Sequence, residues 1–116
     1  MRPISVMLAN ALLEHHEDVC VRHLHRPPSI DPCLIAYGEL CRSAGCPGLE
    51  HSIAPFLAEI AEWCDSNSWP PINALAVNAT SRRPGDGYDA AAGCSLTAWH
   101  DEVIACIVFT GYPASV

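Results

Sequence analysis

Residues 70–89 set the tightest limit on how this chain can fold. They read Pro-Pro-Ile-Asn-Ala-Leu-Ala-Val-Asn-Ala-Thr-Ser-Arg-Arg-Pro-Gly-Asp-Gly-Tyr-Asp. The run 72–78 is short and mostly apolar, the pattern of a buried strand. Residues 80–87 then gather Pro84, Gly85, Gly87 and two arginines, as the tip of a hairpin does. Residues 88–95 are read as the return strand, weakened by three successive alanines.

Upstream, the periodicity is helical. Ile4, Met7, Leu8, Ala11 and Leu12 give a helix over 4–17 one apolar face. Residues 18–25 fit either a continuation of that helix or a short strand, and Pro27-Pro28 ends both. A second helix is predicted from Asp31, with Asp31 as cap, Pro32 in the first turn and Gly45 as the stop. Cys46-Pro47-Gly48 makes a turn. A third helix from Ser52 buries Ile53, Phe56, Leu57, Ile60 and Cys64, and places Pro55 in its first turn, where no intrahelical donor is lost. Residues 65–68 form a loop. Thr97 caps a last helix burying Val103, Ile104, Ile107 and Val108, stopped before Gly111 and Pro113.

The chain has 116 residues, enough for one domain over residues 1–116. Half of the residues are hydrophobic, so a packed core is expected. Thirteen acidic residues face six arginines and no lysine, for a net charge of -7. Such a surface repels phosphate backbones and favours basic partner surfaces. No apolar run is long enough to span a membrane, and no clear signal-peptide cleavage site follows the apolar start. The expected compartment is the cytoplasm, with the seven cysteines reduced and mostly buried.

Tyr37-Gly38-Glu39-Leu40, Ala44-Gly45-Cys46-Pro47-Gly48, the helix after it, and Pro70 through Gly85-Asp86-Gly87-Tyr88 resemble the winged helix-turn-helix domain of the alkylguanine-DNA alkyltransferases and alkyltransferase-like proteins. The resemblance covers about residues 31–90. It implies an α+β fold: a small winged helix-turn-helix-like domain with an added N-terminal helix and a C-terminal helix. It does not carry the activity. Where that family places its alkyl-accepting Pro-Cys-His-Arg motif, this chain has Pro70-Pro71-Ile72-Asn73. Without a thiolate and an activating histidine there is no alkyl acceptor. The segment Leu49-Glu50-His51-Ser52-Ile53-Ala54 also lacks the arginine expected of a recognition helix.

Several groups of residues stand out for their chemistry. Arg82 and Arg83 sit at the predicted tip, where phosphate contact and simple solvation are the two readings. His15, His16, Cys20, His23 and His25 are metal-type ligands, but their spacing matches no strong zinc pattern; exposed imidazoles at a polar helix end are the alternative. Cys41 and Cys46 stand five residues apart across a turn, a spacing that permits a disulfide without establishing one. Cys33, Cys64, Cys94 and Cys106 fall at apolar positions and read as core. No base stands beside any cysteine in the sequence, as a catalytic thiol requires. Glu59, Glu62 and Asp65, with Glu50, spread acid along the third helix. Trp63, Trp69 and Trp99 are core residues or, where exposed, anchors for a partner.

The expectation is a non-enzymatic acidic binding module without a cofactor or metal. Its partner is a protein with a basic, nucleic-acid-handling surface, contacted through Glu50, Glu59, Glu62, Asp65, Arg82 and Arg83. Inhibitors of the anti-CRISPR or immunity-protein kind belong to this class. The first alternative is a DNA-binding winged-helix transcriptional regulator with Arg42, Arg82 and Arg83 on phosphates. The second is a small metal-binding protein using the cluster from His15 to His25.

Overall fold

A helix of thirteen residues, α1 (Pro3–His15), opens the chain with its proline in the first turn. The structure, a computed structural model, describes residues 1–21, 30–85 and 96–116. α1 buries Ser5, Leu8, Ala9, Ala11, Leu12 and Leu13. Met7 was expected on that face but is 38% exposed, while Ala9 and Leu13 turn inward. The helix packs on both α2 and α3, so its apolar face is wider than a single stripe. It continues as a wider π-type turn, His16–Val21, which resolves the ambiguity at 18–21 in favour of helix.

The helix expected from Asp31 is replaced by three shorter pieces. Asp31–Cys33 forms one 3-10 turn, Leu34 is extended, and β1 (Ile35–Ala36) follows. The proline signal at 32 is met by that single turn. The apolar residues after it pair with β2 (Ala76–Val77) in a parallel two-strand sheet, Ile35 against Ala76 and Ala36 against Val77. The helix itself is α2 (Tyr37–Ala44), stopped by Gly45 at φ 83°.

Gly48, at φ 87°, turns the chain into a 3-10 turn, Glu50–Ser52, and then α3 (Ala54–Ser66). Pro55 lies in the first turn as expected, although the helix begins two residues after Ser52 and has no side-chain cap. Ile53, Leu57, Ile60 and Cys64 are buried. α3 runs to Ser66, which shortens the expected loop.

The strand expected over 72–78 is confined to β2. Ile72–Leu75 is instead a 3-10 turn with all four residues buried. Its neighbouring carbonyls find side-chain partners rather than a ladder. Trp99 Nε1 donates to the Ala74 carbonyl at 2.9 Å, the Cys106 thiol to Pro71 at 3.2 Å, and the Tyr112 hydroxyl to Pro70. Buried backbone acceptors must be matched somehow, and here the last helix and the tail do it.

That last helix is α4 (Leu96–Val108). Its buried residues include Trp99, Val103, Cys106 and Ile107, whereas Ile104 is half-buried and Val108, expected inside, is 64% exposed. α4 packs on the 3-10 turn at 72–75 and on the π-type turn after α1. Thr97 is the second residue of this helix. The expected return strand and the second half of the hairpin tip fall on 86–95, outside the described residues.

Among the described residues, four α-helices and a two-strand sheet make a compact α+β domain with a Cα radius of gyration of 12.6 Å. Among the described residues, no helix is long and apolar enough to cross a membrane.

Candidate functional site

The C-terminus of α3 is built by a left-handed cap. Trp69 N–H donates to the Cys64 carbonyl at 2.9 Å, and Ser68 N–H to Asp65 at 3.0 Å. This is the Schellman pattern, and Ser68 occupies its left-handed position at φ 58°. The motif folds the residue after the turn back onto the last helical turn. Trp69 therefore meets Trp63 edge to face, with ring centroids 5.0 Å apart. Asn67 Nδ2 closes the same end by donating to the Trp63 carbonyl at 2.8 Å.

From Trp69 the aromatic contacts continue into the tail. Trp69 and Tyr112 lie 6.0 Å apart, and Tyr112 and Phe109 4.6 Å, both edge to face. Trp63, Trp69, Phe109 and Tyr112 are each half-buried. Edge-to-face pairs contribute about 0.5–1.5 kcal/mol each beyond area burial. Gly111 makes the tail's bend possible, because a Cβ there would fall 2.6 Å from the Phe109 ring.

Tyr112 also packs on His16, 4.9 Å away, and lines a cleft of about 960 Å³ with Glu14, Glu17, Asp18 and Asn10. The three carboxylate residues are exposed. Asn10 Oδ1 accepts from the Val116 N–H at 2.7 Å, which ties the tail across one side. Glu62 and Asp65 stand exposed on α3 at i and i+3, next to and two residues beyond Trp63 in the chain.

The interior beneath the row is rich in sulfur and chemically quiet. Burial pushes the Cys106 thiol up to about 12, and raises the Cys20, Cys33 and Cys64 thiols as well. Burial also drives the Tyr112 hydroxyl far above its usual range. Thiols held protonated in this way are poor nucleophiles at neutral pH. His16 is buried, and desolvation lowers its pKa below 6.5 against the opposing effect of its Cys106 carbonyl partner. That carbonyl, 2.7 Å from Nε2, can only accept, so Nε2 carries the proton.

The residues singled out in the sequence are scattered over different jobs. Glu62 and Asp65 share the outer face of α3. Glu59 of α3 is taken up by the start of α1: it accepts the Ser5 hydroxyl at 2.6 Å, the Arg2 backbone N–H at 3.0 Å and Arg2 Nε at 2.6 Å. Those bonds, that from Ser5 foremost, hold its carboxyl down at about 2. Glu50 is half-exposed in the turn before α3. Arg82, in a left-handed backbone at φ 56°, pairs with Asp31 at 3.0 Å and bonds the Asp31 carbonyl at 3.2 Å. Arg83 is exposed on the same turn. That turn is braced by Asn78, whose Oδ1 accepts the Thr80 and Ser81 N–H groups.

His15 and His16 turn to different partners. His15 Nε2 bonds the Cys33 carbonyl at 2.8 Å, while His16 turns to Cys106. His23 and His25 lie outside the described residues, among which no three metal-type side chains gather. Cys33, Cys64 and Cys106 are buried as expected, and Cys94 lies outside the described residues. Sequence reasoning missed Tyr112, Phe109 and the cleft carboxylates. Their signal was present as two aromatics after the last helix and the run Glu14-His15-His16-Glu17-Asp18, but nothing local joins the two segments. Compared with protein-family models, curated proteins and solved structures, the chain matches none.

Proposed function

We propose that this protein is a non-enzymatic binding module that docks on a basic, nucleic-acid-handling protein. The observation that carries the reading is the row Trp63–Trp69–Tyr112–Phe109 with exposed Glu62 and Asp65 beside it. Interface hot spots favour tryptophan and tyrosine, and complementary charge around them steers association. The net charge of -7 makes a basic partner the favoured one. An inhibitor of the anti-CRISPR or immunity-protein kind works through such contacts.

The proposal keeps a winged helix-turn-helix-like architecture, with α2, a turn and α3 supplying the helical part. The parallel pairing of β2 with β1 is not itself a wing, and the return strand expected over 88–95 lies outside the described residues. DNA binding through this unit is disfavoured by Glu62 and Asp65 on the exposed side of α3 and by the engagement of Arg82 with Asp31.

The test is capture from the source cell with two baits, the wild-type chain and a Glu62→Lys/Asp65→Lys variant. A basic protein held by the first and lost by the second supports the reading. A salt-dependent shift of duplex DNA by the purified protein, with no such protein captured, overturns it.

A further inference from the structure

The turn after α2 holds two thiols in a geometry set by its backbone. Gly45 N–H donates to the Arg42 carbonyl at 3.1 Å and Cys46 N–H to the Cys41 carbonyl at 2.9 Å. Together with Gly45 at φ 83°, these bonds define a second Schellman motif. In that motif the third helical residue from the end and the second residue beyond the cap bring their side chains together, normally as an apolar contact. Here those two positions are Cys41 and Cys46.

The two side chains are neighbours across the turn, and both thiols are free. The bond between their backbones holds the two residues close enough for a disulfide, which spans a Cα separation of roughly 4.4–6.8 Å. Cys41 is fully buried, and Cys46 is half-exposed. Cys46 therefore keeps part of its surface in solvent, and Cys41 keeps none. The remaining contacts differ from this pair: Cys20 and Cys33 also touch, but both are buried.

We infer that Cys41 and Cys46 form a reversible dithiol–disulfide pair whose co-reactant is a small disulfide such as oxidised glutathione. The Cys46 thiolate attacks one sulfur of the small disulfide, whose S–S bond breaks and releases one thiol. The Cys41 thiolate then attacks the Cys46 sulfur of the mixed disulfide and releases the second thiol. The sum is two protein thiols and one small disulfide giving one protein disulfide and two small thiols, a two-electron exchange. Burial and the neighbouring Cys46 and Glu50 raise the Cys41 thiol to about 11, so the second step is the slow one at neutral pH and speeds up as pH rises. This inference is independent of the binding face.

The experiment exposes the fully reduced protein to oxidised glutathione, blocks remaining thiols under denaturing conditions, and maps the products by proteolysis and mass spectrometry. The expected result is a thiol titre lower by two, a Cys41–Cys46 linked peptide, and full reversal by dithiothreitol. Cys46→Ser, at a half-exposed position, should abolish the link. Cys41→Ser, with its fold checked by circular dichroism, should stop at one stable glutathione adduct on Cys46. Persistence of the adduct in the wild type, a link through other cysteines, or an unchanged titre would each overturn the inference.

Discussion

Glu59 of α3 holds Arg2 twice, through its backbone N–H at 3.0 Å and its guanidinium at 2.6 Å. The same carboxylate accepts from Ser5 in the first turn of α1. α1 has no side-chain cap of its own, so a residue more than fifty positions away serves as one. A negative charge beside a helix N-terminus also complements the helix dipole. The guanidinium lies 4.3 Å over the Phe56 ring, which fixes its position further.

Glu59→Gln should lower thermal stability at neutral pH and flatten the acid limb of the stability profile. The folded carboxyl titrates at about 2 against 4.5 when unfolded. Its stabilising contribution is therefore full above the unfolded value and fades as pH falls from 4.5 to about 2. Urea unfolding at pH 7, 4 and 2 for both chains checks this; parallel profiles would contradict it.

His16 should give the stability profile a second slope at milder acidity. Its folded pKa lies below 6.5 because burial disfavours the charged ring. Below 6.5 the unfolded chain gains a proton that the folded chain resists, so stability declines as pH falls. In His16→Gln that slope should disappear, read as the change in urea midpoint between pH 7.5 and 5.5.

The two left-handed caps predict opposite responses. Ser68 sits at φ 58°, where a side chain is strained, so Ser68→Gly should stabilise the protein by about 1 kcal/mol. Gly45 sits at φ 83° in the equivalent position of α2, so Gly45→Ala should cost about 1 kcal/mol. Denaturant midpoints at constant slope measure both.

Trp99 carries a structural donor. Trp99→Phe keeps most of the ring and leaves the buried Ala74 carbonyl without its 2.9 Å partner. The expected loss is about 1–3 kcal/mol in unfolding free energy, the cost of an unmet buried polar group.

What was legible in the sequence was local. Gly45 ends a helix because only a left-handed residue closes that cap, and Pro55 fits a first turn because no bond is lost there. The buried positions of Cys33, Cys64 and Cys106 followed from apolar spacing. What escaped depends on distant partners. Ile35 and Ala36 leave the helical pattern because they pair with residues some forty positions later. Residues 72–75 coil rather than extend because α4 and the tail bind the adjacent carbonyls. Glu59 looked like surface charge because the helix it caps is far off in sequence. Of the candidate face, Glu62, Asp65, Trp63 and Trp69 were readable from α3, while Tyr112 and Phe109 join them only through tertiary packing.

The binding face itself is tested most directly by carbodiimide coupling of the captured complex. The chain has no lysine, so every carboxyl-to-lysine link reports a partner residue. Links from Glu62 and Asp65 to partner lysines, weakened in Trp69→Ala, are the predicted result. Links confined to carboxylates away from the aromatic row, such as Glu39 or Asp101, would contradict it.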